Sequence, residues 1–278
     1  MAWSTREKEV YEEISHWRNE LGKYRQDDFS HTFSRWFDAS LSSLPDGVKE
    51  EFFARIDSAL FNLHNLIQGS NIQRDTHESL LATAQAFDET VSHLNDFQQL
   101  RIDQLHYIAL QQSGRHKLYS FVQGGVAGTG GAVAFGTDFF AMTILNIRAI
   151  QIIAAAYGRD VQIPYEMTLS LKVFHAATMP IRYQAGAWDE LIQSLESEQL
   201  DYFFSGDDEL TNERWMEGPM KQLVKSSAIN LFRKKKFSNI PLLSMSIGAI
   251  SNYRLTRRVT DFAERFYQYR FLIDKQDD

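Results

Sequence analysis

The stretch FFAMTILNIRAIQIIAAAYG, from Phe139 to Gly158, constrains the fold more than any other part of the chain. Its few polar side chains, Thr143, Asn146, Arg148 and Gln151, share no face of a helical wheel. A helix that is apolar nearly all round must be surrounded by other elements. The 278 residues and the abundant Phe, Tyr and Trp provide enough apolar surface to surround it. No proline lies between Pro45 and Pro164, and alternation of the strand kind is hard to find. The pattern predicts an all-α fold: a multi-helix bundle with a Gly-rich buried helix core and an N-terminal helical extension. Residues 1–112 form the N-terminal region and residues 113–278 the core, read as one continuous domain.

Local signals place the helices. Ser4 and Glu7 have capping-box spacing, and Val10, Ile14, Trp17 and Leu21 make one apolar stripe. Val48, Phe52, Ile56, Leu60 and Leu63 make the next stripe, from Pro45 to Leu66. Asp75 to Gln112 reads as one long helix or two stacked ones, broken near Gly114. Gly158 is placed to end the apolar helix as a left-handed cap, and Pro164 to open the next, which stops before Pro180. Further helices are expected over roughly 183–203, 209–231 and 242–272.

Before the apolar block lies SFVQGGVAGTGGAVAFGTDFF, Ser120 to Phe140, with six glycines. It fails as a phosphate loop, because Gly131 is followed by Ala-Val-Ala rather than Lys and Ser or Thr. It fails as a dinucleotide fingerprint, because Val133 stands where a third glycine is required. Leu118 to Thr137 is twenty residues without a charge, about the length of a bilayer span. Yet glycines dilute it, and Asp138 and Arg148 interrupt the apolar residues beyond it. Taken as one helix, Gly124, Gly128 and Gly131 share a stripe with Phe135, where a neighbouring backbone could come close.

Two charges stand at the start of the apolar block and within it. Asp138, after Gly136-Thr137, is placed to be an N-cap. Arg148 needs a carboxylate if buried, with Glu166 and Asp189 as candidates, or else it binds an anionic ligand. Asp138, Arg148, Tyr157, Gly124, Gly128 and Gly131 are therefore the ligand-binding candidates. The eight histidines form no metal signature, and no GxSxG elbow or cysteine is present. Neither a metal nor another cofactor is expected, and the sequence leaves enzymatic activity open. His175, on an apolar helix, reads as a hydrogen-bonded core residue.

Charge is unevenly distributed. Pro219 to Arg270 holds eleven Lys and Arg against two acids in a chain of net charge -7, while Trp188 to Glu217 holds ten acids against one Arg. The overall acidity disfavours nucleic acid as a partner. Arg233, Lys234, Lys235 and Lys236 are flanked by Phe232 and Phe237, and Arg254, Arg257 and Arg258 come after an uncharged run. Basic residues at both ends of such a run suit a segment lying on an anionic leaflet. The other reading of the basic run is a solvated turn docked on the acidic 188–217 region. The charged start of the chain, MAWSTREKEVYEE, lacks the apolar segment of a signal peptide, so a cytoplasmic location is expected, with the inner face of the cell membrane as a peripheral site.

GGVAGTGG followed by FGTDFFAMTILNIRAIQIIAAAYG resembles the core signature of the EcsC family. IPLLSMSIGAISNYRLTRRVTDFAERFYQYRFL, with Ala263 and Arg270 on its last helix, is similar to the family's ending, and REKEVYEEISHWRNEL to its first helix. The founding member lies beside genes of an ABC transporter, so the resemblance implies a membrane partner such as an ABC transporter and no particular reaction. The expected function is a non-enzymatic, peripherally membrane-associated module that binds anionic lipid or a membrane partner. The alternative is an enzyme or small-ligand-binding protein with a pocket over the Gly-rich seam.

Overall fold

The computed structural model describes residues 3–23, 72–127, 132–179, 181–204 and 241–277, and among them every regular element is helical. In chain order these are α1 (Thr5–Gly22), α2 (Ile72–Gln85), a 3-10 helix (Leu94–Gln99), α3 (Ile102–Ala127), α4 (Ala132–Ala156), α5 (Pro164–Thr178), α6 (Ile181–Phe204) and α7 (Pro241–Asp277). The apolar stripe over 45–66 and the helix expected over 209–231 lie outside the described residues.

The capping box at the start of α1 forms as the spacing predicts. The Glu7 amide donates to Ser4 Oγ at 3.3 Å, and the Ser4 amide donates to the Glu7 carboxylate at 2.7 Å. Val10, Ile14 and Leu21 are buried beneath it. Trp17 meets Trp188 and Phe262 edge-on, with ring centroids 5.2 and 5.6 Å away.

The break expected at Gly114 falls earlier. α2 stops at Gln85, and α3 runs through Gly114 to Ala127. Side chains compete with the helix between them: Asp88 accepts from the Thr90 amide at 2.9 Å, and Asp96 accepts from the Ser92 and His93 amides at 2.8 Å. Gly114 alone costs about 1 kcal/mol of helix propensity, too little to end a packed helix.

α4 is buried on all sides from Met142 onward, apart from the half-buried Ile144 and Leu145. It begins at Ala132, six residues before Asp138, so Asp138 lies inside the helix and is not its N-cap. Gly124 is on α3 and Phe135 on α4, while Gly128 and Gly131 lie outside the described residues. The expected stripe is thus divided between two helices rather than carried by one.

α4 ends in a Schellman motif. The Arg159 amide donates to the Ala154 carbonyl at 3.1 Å and the Gly158 amide to Ala155 at 3.0 Å, with Gly158 at φ 76°. A Cβ on Gly158 would lie 3.0 Å from the Leu94 carbonyl oxygen. Gly158→Ala is therefore expected to cost about 1–2 kcal/mol from the left-handed backbone alone, and more from the contact. A denaturant titration would read this as a lower midpoint at unchanged slope.

Anchoring contacts fix how the helices run. Arg270 meets Glu166 and Arg258 meets Thr178, so α5 and α7 are antiparallel. His106 on α3 meets Glu264 and Gln268 on α7. Tyr157, just past α4, lies 6.3 Å from Phe271, ring to ring. Asp103, at the start of α3, meets Arg6 beside the Trp3–Leu272 contact, so α3 is antiparallel to α7; α4 starts five residues after α3 ends and runs back parallel to α7. One end of the bundle, the Gly158 end, holds Gly158, Glu166 and the C-terminal turns of α7. The opposite end, the Pro241 end, holds Thr178, Ile181, the C-terminus of α3 and the N-termini of α4 and α7.

Candidate functional site

The Gly158 end is built around a buried polar network on one side of α7. Arg270 Nη1 lies 2.7 and 2.9 Å from the two carboxylate oxygens of Glu166. Both side chains are almost fully enclosed, at 6% and 4% exposure, and the guanidinium sits 5.6 Å from the Tyr165 ring centroid. Burial, the largest single influence, lowers the Arg270 pKa, but Glu166 together with Tyr267, Tyr165 and Asp274 outweighs it and the pKa is raised. The Tyr267 hydroxyl is buried nearby, and its pKa is pushed up by burial first and by Glu166 second. One turn on, Asp274 pairs with Arg159. Glu7 pairs with Lys275; burial pushes the carboxyl up, yet the bonds from Lys275 and Ser4 bring it below the usual range.

On the adjacent face His106 contacts Glu264, with the Tyr157 hydroxyl enclosed close to Glu264 and Gln268. The hydrogen bond to Glu264 raises the His106 pKa above its ordinary 6.5, with burial opposing it. A raised folded-state pKa contributes stability below the unfolded value, and that contribution is lost as pH rises through the folded one. Stability is therefore expected to fall as pH rises from 6.5 into the raised range, and Glu264→Gln to flatten that part of the profile. Thermal melts at a series of pH values would check it.

These arrangements are structural in kind. The carboxylates are already matched by cations, and Tyr157, at 0% exposure, cannot touch a substrate. The residues expected to line a pocket do not converge either. Asp138 and Arg148 are about 15 Å apart along α4, and Tyr157 lies about 14 Å further on. The two acids expected to pair with Arg148 are engaged elsewhere: Glu166 with Arg270, and Asp189 with Arg18. Helix register decides this, because α5 presents Glu166 to α7 at the Gly158 end, well away from Arg148. A cleft of about 680 Å³ between α2 and α3 is lined by Ser79, Thr83, Phe87, Arg101, Asp103 and Tyr107, and by none of the pocket candidates. Among the described residues no three His, Asp or Glu side chains gather as metal ligands would. The ring Nδ1 of His175 has no hydrogen-bond partner among the described residues, unlike the expected core histidine, and burial lowers its pKa.

The Pro241 end has a different chemistry. Arg258 Nη2 donates to the Thr178 carbonyl at 3.2 Å, closing the C-terminus of α5 with a cation where the helix dipole favours one. Burial lowers the Arg258 pKa. That bond fixes the preceding turn of α7 beside the α5–α6 corner. Arg254 and Arg257 are exposed there, and Arg257 pairs loosely with Asp261 at 3.6 Å. Two large apolar side chains share this end and are also exposed, Tyr253 at 38% and Ile181 at 41%. Neither Ile181 nor Tyr253 is a candidate from the sequence, where nothing local distinguishes them. Of the basic candidates, Arg254 and Arg257 face out and Arg258 is turned in. Phe232, Arg233, Lys234, Lys235, Lys236 and Phe237 lie outside the described residues. Among the described residues no helix is long and apolar enough to cross a membrane.

The model of the EcsC protein family matches residues 8–272, nearly the whole chain. No curated protein and no solved structure matches it.

Proposed function

We infer that this chain, which belongs to the EcsC protein family, is a non-enzymatic module that sits on an anionic membrane surface by its Pro241 end. One observation carries the reading. The Arg258–Thr178 bond places the exposed cations Arg254 and Arg257 on the same end as the exposed Tyr253 and Ile181. Cations at headgroup level with apolar side chains beside them are what an anionic interface takes up. The sequence carries four further cations, Arg233 to Lys236, shortly before α7. A membrane protein such as an ABC transporter, reached at that surface, is the protein partner this reading favours.

Flotation of the full chain with vesicles tests it. The chain is expected to float with vesicles containing phosphatidylglycerol at low salt and to stay behind with pure phosphatidylcholine. Equal behaviour toward both lipids would rule out recognition of an anionic surface.

A further inference from the structure

The geometry points to more than surface contact: the Pro241 end inserts into one leaflet as a three-helix wedge with a cationic collar at its base. This rests on the membrane-facing reading above and adds depth to it. Helix register sets the levels. His106 lies beside Glu264 and Gln268, and α3 runs against α7, so Arg115 and Lys117 come level with residues 254–258. Tyr157 lies beside Phe271, and α4 runs with α7, so the buried Arg148 comes level with Phe262, short of the collar, and residue 140 level with Arg254. Cation positions from α3 thus share one level with Arg254 and Arg257 on α7.

Beyond that level the three helices continue with a single charge among them. α3 carries none from Leu118 to Ala127, and α7 none from Pro241 to Tyr253. α4 carries a single charge between Ala132 and Ile147, that of Asp138. At 1.5 Å per residue the helices extend about 12 to 20 Å past the collar. That reaches through one leaflet and falls short of the roughly 30 Å hydrocarbon core. It also agrees with the lack, among the described residues, of a helix able to cross. Three helix ends with one charge among them, above a cationic level, match an anionic bilayer in charge and in depth: cations at the phosphates, helix ends among the acyl chains. Asp138 is the one group on these stretches that opposes entry.

The chain has no cysteine, so single cysteines can carry an environment-sensitive fluorophore. Ser120→Cys and Ser244→Cys place it on the wedge, and Glu89→Cys places it on an exposed loop toward the Gly158 end. With vesicles of phosphatidylglycerol and phosphatidylcholine, labels at 120 and 244 are expected to shift to the blue. Lipids brominated in the acyl chain should quench them, in high salt as well, while the label at 89 stays unchanged. Asp138→Asn is expected to raise the salt-resistant bound fraction several-fold. If vesicles bind the chain while both wedge labels remain in water, insertion is wrong and surface binding stands. If no vesicle binds the chain at all, both fall.

Discussion

Glu166→Gln is expected to destabilise the protein by about 3–5 kcal/mol, because it leaves Arg270 charged in an enclosed site without its counter-ion. In a thermal melt this corresponds to a drop of roughly 6–15 °C. The size comes from burial. A surface pair of the same geometry, such as Arg6 with Glu9 at 3.1 Å and half exposed, contributes less than about 1 kcal/mol. The asymmetry between removing one partner and removing both sharpens the prediction. Replacing Glu166 and Arg270 together by Met should recover most of the loss, since a buried pair barely repays its own desolvation. A loss under about 1 kcal/mol in the single variant would mean that water reaches the pair.

The second large effect is on membrane affinity. The double variant Arg254→Gln, Arg257→Gln is expected to weaken binding to anionic vesicles by roughly 30-fold, at about 1 kcal/mol per cation before screening. The loss should shrink as salt rises, because screening lengths fall below about 10 Å. Folding should be almost untouched, since the ion pair it breaks among the described residues, Arg257 with Asp261, is long and exposed. Arg258→Gln provides the contrast. It removes the cation from the α5 C-terminus, so it is expected to cost about 0.5–1 kcal/mol of stability and to affect vesicle binding less. An equal effect of all three arginines on binding would show that the inward turn of Arg258 has no consequence at the membrane.

How far the sequence can be read depends on the range of the interaction. The capping box at Ser4 and the cap at Gly158 are legible because both are settled within a few residues, by hydrogen bonds the local chain must make. The burial of α4 is legible because its composition leaves no face for water. The break between Gln85 and Ile102 is not legible from periodicity, because it is decided by Asp88 and Asp96 bonding to nearby amides. Ion-pair partners are not legible at all. Glu166 is paired with Arg270 rather than Arg148 because three helices fix the register between α5 and α7, and no local pattern encodes that distance. The exposure of Arg254 and Arg257 beside an inward Arg258 needs the same register. Even so, the basic stretch itself is plain in the residues. The family resemblance is legible for a further reason: glycine pattern, Asp138, apolar helix and Tyr157-Gly158 occur together, and the family match over 8–272 agrees with it.

Hydrogen exchange of the full chain with and without anionic vesicles tests most directly which end faces the membrane. Slower exchange on vesicle binding is expected at the start of α7 and around Ile181, with the amides around Gly158, Glu166 and Asp274 unchanged. Protection at the Gly158 end, with the start of α7 exchanging as it does in solution, would contradict a membrane-facing Pro241 end.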